Sequence, residues 1–235
     1  MKLVFIVGKK RSGKDTAVSI VKNNFKVIDY SLATPIKDTL SDAWFKLEAS
    51  GSQKNIPKIF RNDWNGIGMD REKFLPISNQ QVYELMCHAV TVLEKEYGLI
   101  IKSHRNPKED IIKAVVLNNT EAWSIRRLMQ TLGTDLIVNH FDRMFWIKLF
   151  ASKFADSFER ERDFFIVPDT RQEHELAFAR AMGATVIHVV RDGNESKDTH
   201  ITEAGLPIKE GDTVIKNNGT LEEFNELITK EFKSL

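Results

Sequence analysis

Apolar residues fall into two patterns along this chain. Five short runs are apolar on consecutive positions: Lys2 to Val7, Val27 to Tyr30, Phe164 to Val167, Thr185 to Val190 and Thr213 to Ile215. Runs rich in Val, Ile and Phe that do not alternate with polar residues belong to strands covered on both faces, as in a parallel sheet. Between them the apolar positions recur every three or four residues. Asp15 to Val21 carries Ala17, Val18, Ile20 and Val21, and Ile36 to about Lys46 carries Leu40, Ala43, Trp44 and, just beyond, Leu47. Ser78 to Tyr97 opens with a Ser-x-x-Gln capping box and turns Val82, Leu85, Met86, Ala89, Val90 and Leu93 inward. Trp123 to Asp135 carries Ile125, Leu128, Met129 and Leu132 and is expected to end at Gly133, with a further helix from about Asp142. Alternating strands and helices predict an α/β fold with a doubly wound, five-stranded parallel sheet. Residues 48–122 are less legible: Glu48 to Lys58 and His104 to Asp110 read as loops, and Ile111 to Leu117 fits a strand or a helix turn equally well. The pattern divides the chain into a core, 1–47 and 123–235, and an inserted, mainly helical region, 48–122, suited to a second substrate.

The first strand runs into Gly8-Lys9-Lys10-Arg11-Ser12-Gly13-Lys14-Asp15-Thr16, and a helix follows at once. The pattern G-x-x-x-x-G-K between a buried strand and a helix is a phosphate-binding loop, which makes the fold that of a P-loop NTPase. Gly8 and Gly13 let the main chain curl close to a polyphosphate, the helix N-terminus points its N–H groups at the anion, and Lys14 can reach the β and γ oxygens. Gly8, Gly13 and Lys14 are thus candidate polyphosphate contacts. The usual Ser or Thr after the lysine is replaced by Asp15, with Thr16 next. Either a carboxylate or a hydroxyl one residue late would then serve Mg²⁺.

Composition narrows the class. With 34 Lys and Arg against 33 Asp and Glu the net charge is +1, so no overall field calls for a nucleic-acid or membrane partner, and affinity for anions has to be local. One cysteine, Cys87, excludes an internal disulfide and is expected in the core of a helix. No apolar run approaches the roughly 20 residues needed to span a bilayer, and a cytoplasmic location is expected.

In a doubly wound sheet ligands gather beyond the carboxyl ends of the strands. Asp169 follows the third run, where a carboxylate would orient a substrate or serve Mg²⁺, or else cap the helix near Gln172. Arg171 can face a phosphate and Glu175 a base, and Arg191 ends the fourth run. His200 lies in the loop beyond it, where a lone histidine is more often structural. Lys37, at the start of a helix, meets either a phosphate or solvent. Arg126 and Arg127 stand beside the apolar stripe of their helix and could clamp transferring phosphates, while Trp146 offers a flat ring.

Taken together, Gly8 to Thr16, Ser124 to Asp135, Phe141 to Trp146, Val167 to Arg171, Arg180 to Arg191 and Asp198 to Pro207 closely resemble the deoxynucleoside monophosphate kinases of T-even-type bacteriophages. That resemblance implies transfer of the γ-phosphoryl of ATP, with Mg²⁺, to dTMP, dGMP and 5-hydroxymethyl-dCMP by a homodimer that supplies phage DNA synthesis. It places Lys10, Lys37, Arg71, Trp146, Asp169, Thr170, Arg171 and Glu175 around the deoxynucleotide, with Arg71 in the divergent stretch Asp70-Arg71-Glu72. It also implies that Arg11, Gly13, Lys14, Asp15 and Thr16 hold the ATP phosphates, and it makes Asp15 a family trait. Lys14, Arg126, Arg127 and Arg171 are the expected catalytic cations, with Asp15 and Asp169 around the metal. Two rivals stay open: a different small-molecule kinase resembling phosphomevalonate kinase, and a nucleotide-binding regulatory module.

Overall fold

A computed structural model describes residues 1–50, 56–102, 107–193 and 206–235. The chain forms two compact units.

The first unit comprises Met1–Leu32 and Phe150–Leu235. Its strands are β1 (Lys2–Val7), β2 (Val27–Asp29), β3 (Phe164–Val167), β4 (Thr185–Val190) and β5 (Thr213–Lys216), all parallel, in the order β2-β3-β1-β4-β5. Because successive side chains alternate across a pleated sheet, each continuous apolar run feeds two cores. On one face Val4, Ile6, Phe164, Ile166, Ile187 and Val189 pack against α1 (Lys14–Asn24) and α8 (Leu221–Ser234) through Val18, Val21, Phe224, Ile228 and Phe232. On the other, Phe5, Val7, Phe165, Val167 and Val186 meet Phe150 and Phe154 together with Leu176 and Ala179 of α7 (Glu173–Ala181). This is the doubly wound five-stranded sheet expected. Asp212 braces its far edge, accepting from Arg180 of α7 at 2.5 Å and lying 2.9 Å from His188 of β4. Although burial opposes it, the hydrogen bonds from Arg180, the Lys209 N–H and His188 hold this carboxyl down at about 2.

The second unit, Ala33–Leu149, is built of helices joined by loops, with no strand among its described residues. It contains α2 (Thr34–Ala49), a 3₁₀ turn (Asp63–Asn65), α3 (Asn79–Glu96), α4 (Lys108–Leu117), α5 (Ile125–Gln130), a π-helical stretch (Thr131–Phe141) and the first residues of α6 (Phe145–Ala155). Ser78 caps α3 with the reciprocal Gln81 capping box. Trp44 and Trp64 pack edge to face inside a core shared with Leu85, Met86, Leu128 and Leu132. The boundaries fall at 32/33 and 149/150 rather than at 47/48 and 122/123. The apolar stripes of α2 and α5 are completed by those of α3 and α4, so all four helices share one core.

Three local expectations change. Ile111 to Leu117 is helical, since Glu109 and Asp110 suit the first turn and Ile112 and Val116 lie four apart on the buried face. Cys87 is half-buried rather than enclosed, packed against this core, and burial pushes its thiol up. Gly133 does not end its helix; the chain continues through it as the π-helical stretch. Its missing side chain serves packing, because a Cβ there would stand 2.7 Å from Cδ1 of Ile36. The atom met is the far end of a flexible side chain, and alanine gains about 1 kcal/mol of helix propensity over glycine. Gly133→Ala is therefore expected to change stability by less than about 1 kcal/mol, and adding Ile36→Val, which removes that methyl, to leave the double variant more stable than the sum of the single changes. Denaturation of the double-mutant cycle measures the coupling, and strict additivity would contradict it. Among the described residues no helix is long and apolar enough to cross a membrane.

Candidate active site

The first unit holds the phosphate loop as the sequence requires. Gly13 caps α1 at φ 105°, and Arg11 is the one described non-glycine residue with positive φ, at 61°. A side chain on Gly8 would run into the Val189 carbonyl and Ser12 Oγ, so the loop lies flush against the end of β4. Lys14 is 9% exposed, and its ammonium donates to the carbonyls of Gly8 at 2.5 Å and Lys9 at 2.7 Å, across the mouth of the loop. Ser12 Oγ is buried with no hydrogen-bond partner among the described residues. Glycine at two constrained points, a fixed ammonium and a helix N-terminus form a donor set matched to a polyphosphate. Asp15 is exposed on the first turn of α1, and Thr16 is half-buried behind it. The described residues contain no cluster of three or more metal-ligating side chains. A Mg²⁺ carried on phosphates takes most of its ligands from phosphate and water, so one or two protein oxygens suffice.

At the end of β3, Asp169 does not cap α7. Its Oδ1 accepts from the Leu32 N–H at 2.8 Å and its Oδ2 from the Ser31 hydroxyl at 2.5 Å, which fastens the chain after β2 to the chain after β3. The cap of α7 is a Gln172–Glu175 box. Glu175 Oε2 accepts from the Arg171 N–H at 2.8 Å and the Gln172 N–H at 3.0 Å, so this carboxyl also shapes the turn that presents Arg171. Thr170, between them, is 3% exposed, and its hydroxyl has no partner among the described residues. A buried hydroxyl left without a protein partner at the carboxyl end of a central strand is what a bound polar ligand would satisfy. Lys10 is half-buried, and Arg191 is exposed beyond β4. His200 and most of the block 198–207 lie outside the described residues.

Burial pushes the Glu175 carboxyl up to about 7, against the lowering effect of the two N–H donors. Its proton is held more tightly in the folded than in the unfolded chain, so stability falls as pH rises from the unfolded carboxyl's range through 7. A shift of that size corresponds to about 3 kcal/mol. Glu175→Gln keeps an acceptor for the turn without the charge. It is expected to gain about 1–3 kcal/mol on the unmodified protein between pH 5 and pH 8.5, read from denaturant midpoints, and a pH-independent difference would contradict this.

The second unit gathers cations. Arg126 donates its backbone N–H to the Arg71 carbonyl at 2.9 Å, and its Nε lies 3.1 Å from Glu72, so the divergent stretch Asp70-Arg71-Glu72 is brought against the start of α5. Arg127 lies 3.3 Å from Asp135 and 3.4 Å from Glu121. Lys37 donates to Asn65 at 3.0 Å. Trp146 differs from expectation: it is 3% exposed, belongs to the unit's core and gives its indole N–H to the Gly133 carbonyl at 2.9 Å. Little of its ring is left open to a base. Sequence reasoning passed over Ser31 and Asn65, which hold Asp169 and Lys37; Ser31 had a signal in its place just past β2, and Asn65 had none.

The family model for deoxynucleotide monophosphate kinase matches residues 2–228. The chain belongs to the deoxynucleotide monophosphate kinase family. Among members, it is 47% identical to the deoxynucleotide monophosphate kinase of Enterobacteria phage T4, with all of both chains covered. Against that of Escherichia phage RB69 identity is also 47%, covering 98% of this chain and 99% of the relative. A putative deoxynucleotide monophosphate kinase of Acanthamoeba polyphaga mimivirus is 25% identical over 95% of the chain and 92% of its own length. Dephospho-CoA kinase from Campylobacter jejuni covers the chain at 16% identity with a TM-score of 0.46, too slight a likeness to bear on the argument. Membership in a kinase family disfavours the regulatory module and the phosphomevalonate-type kinase alike.

Proposed function

We propose that this kinase moves the γ-phosphoryl group of ATP onto the 5′-phosphate of deoxynucleoside monophosphates, giving ADP and the deoxynucleoside diphosphate. The observation that carries this reading is a fully formed phosphate loop in a chain that matches deoxynucleotide monophosphate kinases from end to end. Resemblance to the T-even enzymes supports dTMP, dGMP and 5-hydroxymethyl-dCMP as acceptors, a homodimer and the host cytoplasm as the site of action.

The acceptor is a phosphate monoester whose second pKa is about 6, so it is already largely dianionic at neutral pH and no general base is needed. An acceptor oxygen forms the new P–O bond as the bond from the γ-phosphorus to the bridging oxygen breaks, and ADP keeps that electron pair. Catalysis is then a matter of charge and position. Arg11, Gly13, Lys14, Asp15 and Thr16 hold the ATP phosphates, with Arg191 as a further ATP contact. Asp15, Thr16 and Asp169 are the residues that would hold Mg²⁺, which when bound would supply charge neutralisation of the phosphates. By resemblance to the T-even enzymes, Lys10, Lys37, Arg71, Trp146, Asp169, Thr170, Arg171 and Glu175 are assigned to the deoxynucleotide. Lys14 and Arg126 or Arg127, together with Arg171, offset the charge of two polyanions brought together.

ADP release from Mg·ATP against dTMP, dGMP, dCMP, 5-hydroxymethyl-dCMP, dAMP and phosphomevalonate tests the reading. Rapid release with dTMP and dGMP and little with dAMP is expected. Stimulation by phosphomevalonate alone, or by no mononucleotide, would overturn the acceptor assignment.

A further inference from the structure

Among the described residues β5 is an edge strand, paired with β4, and the residue that follows it makes two contacts of different kinds. The Asn217 N–H donates to the Val190 carbonyl at 2.8 Å, continuing the ladder one step past the strand. Its side-chain amide then crosses to the phosphate loop and donates to the Ser12 carbonyl at 2.8 Å. Gly13 is shaped around that amide: a Cβ on Gly13 would collide with Asn217 Nδ2. The glycine thus answers two demands, a left-handed φ of 105° and room for the asparagine.

We propose that Asn217 is a positioning residue of the donor site, setting the orientation of the Ser12–Gly13 peptide through its amide. A trans peptide is planar, with its C=O and N–H pointing in opposite directions. Holding the Ser12 oxygen toward Asn217 aims the Gly13 N–H to the opposite side, as a fixed donor next to Lys14. A phosphate then meets a donor that need not be reoriented on binding, which is where preorganisation adds affinity. The neighbouring Asn218 bonds twice to Asp192, at 2.9 Å and 2.7 Å, so the backbone carrying Asn217 is itself fixed to the exit of β4.

This inference rests on ATP being the donor. Asn217→Ala is expected to weaken ATP, in KM and in calorimetric affinity for ATP alone, by about fivefold or more, with KM for the deoxynucleotide within twofold. Asn217→Asp keeps the shape but cannot donate to a carbonyl, so it is expected to lose at least as much, and it serves as the second variant should alanine not fold. Thr213→Val removes the 3.0 Å Thr213–Glu231 bond at the opposite end of β5 and controls for stability. It is expected to lower the melting temperature without moving KM for ATP. ATP affinity within twofold of the unmodified enzyme in both Asn217 variants would overturn the proposal, as would a loss equal to that of Thr213→Val. Failure of the unmodified enzyme to bind ATP at all would instead overturn the donor reading, and this proposal with it.

Discussion

Lys14→Ala is expected to lower kcat by at least about 10²–10³-fold while leaving a folded protein. The ammonium of Lys14 sits 2.5 Å and 2.7 Å from the Gly8 and Lys9 carbonyls, at the point where the loop closes. A terminal phosphoryl group develops charge on its equatorial oxygens as it transfers, and a buried, fixed cation next to them lowers the barrier more than it strengthens ground-state binding. Lys14→Arg is expected to recover little of the loss. The Lys14 ammonium is set as a point charge against two carbonyls, a placement that a longer, planar guanidinium does not reproduce. Single-turnover measurement with saturating ATP checks this, alongside a denaturation midpoint to confirm folding. Turnover within about threefold of the unmodified enzyme would contradict the assignment of Lys14.

The second large effect is expected at Arg126. Its Nε lies 3.1 Å from Glu72, whose side chain is 46% exposed, an acidic partner with which an incoming phosphate can compete. Arg127 is more firmly committed, since the side chain of its partner Asp135 is only 22% exposed. Arg126→Ala should therefore cost about 10²–10³-fold in kcat with a small change in KM for ATP, and Arg126→Lys should restore only part. Arg127→Ala should cost less than about tenfold in kcat and show mainly as lost stability. Pre-steady-state rates for the three variants separate these outcomes. Equal losses at both positions would mean that the two arginines act as a unit, and a greater loss at Arg127 would reverse their roles.

Features governed by neighbours in sequence were legible before the structure. The five strands announce themselves as unbroken apolar runs, the phosphate loop as glycines at fixed spacing, and the start of α3 as Ser78 with Gln81. What depends on distant partners was not. Gly133 looks like a helix terminator, and only the position of Ile36, almost a hundred residues earlier, shows that it is a packing glycine. Asp169 reads as a cap or as a ligand of substrate or metal, and its hold on Ser31 and Leu32, 138 and 137 residues away, has no local signal. Trp146 looks available for stacking because helical periodicity does not show that a carbonyl and a core await its ring. Glu175 was singled out for a base, yet its capping-box partner is glutamine, a residue seldom used as a cap, so the local signal was weak. Asn217 carried a signal in its place just past the last strand, but its partner Ser12 lies 205 residues before it.

The central claim is that phosphate passes from ATP to a deoxynucleotide and not to water. ATP labelled at the γ-phosphorus, incubated with the enzyme, Mg²⁺ and dGMP and resolved by chromatography, tests it most directly. The account predicts label in the β-phosphate of dGDP, one for each ADP formed, and almost none in inorganic phosphate. Label appearing chiefly as inorganic phosphate, at a rate indifferent to dGMP, would contradict it.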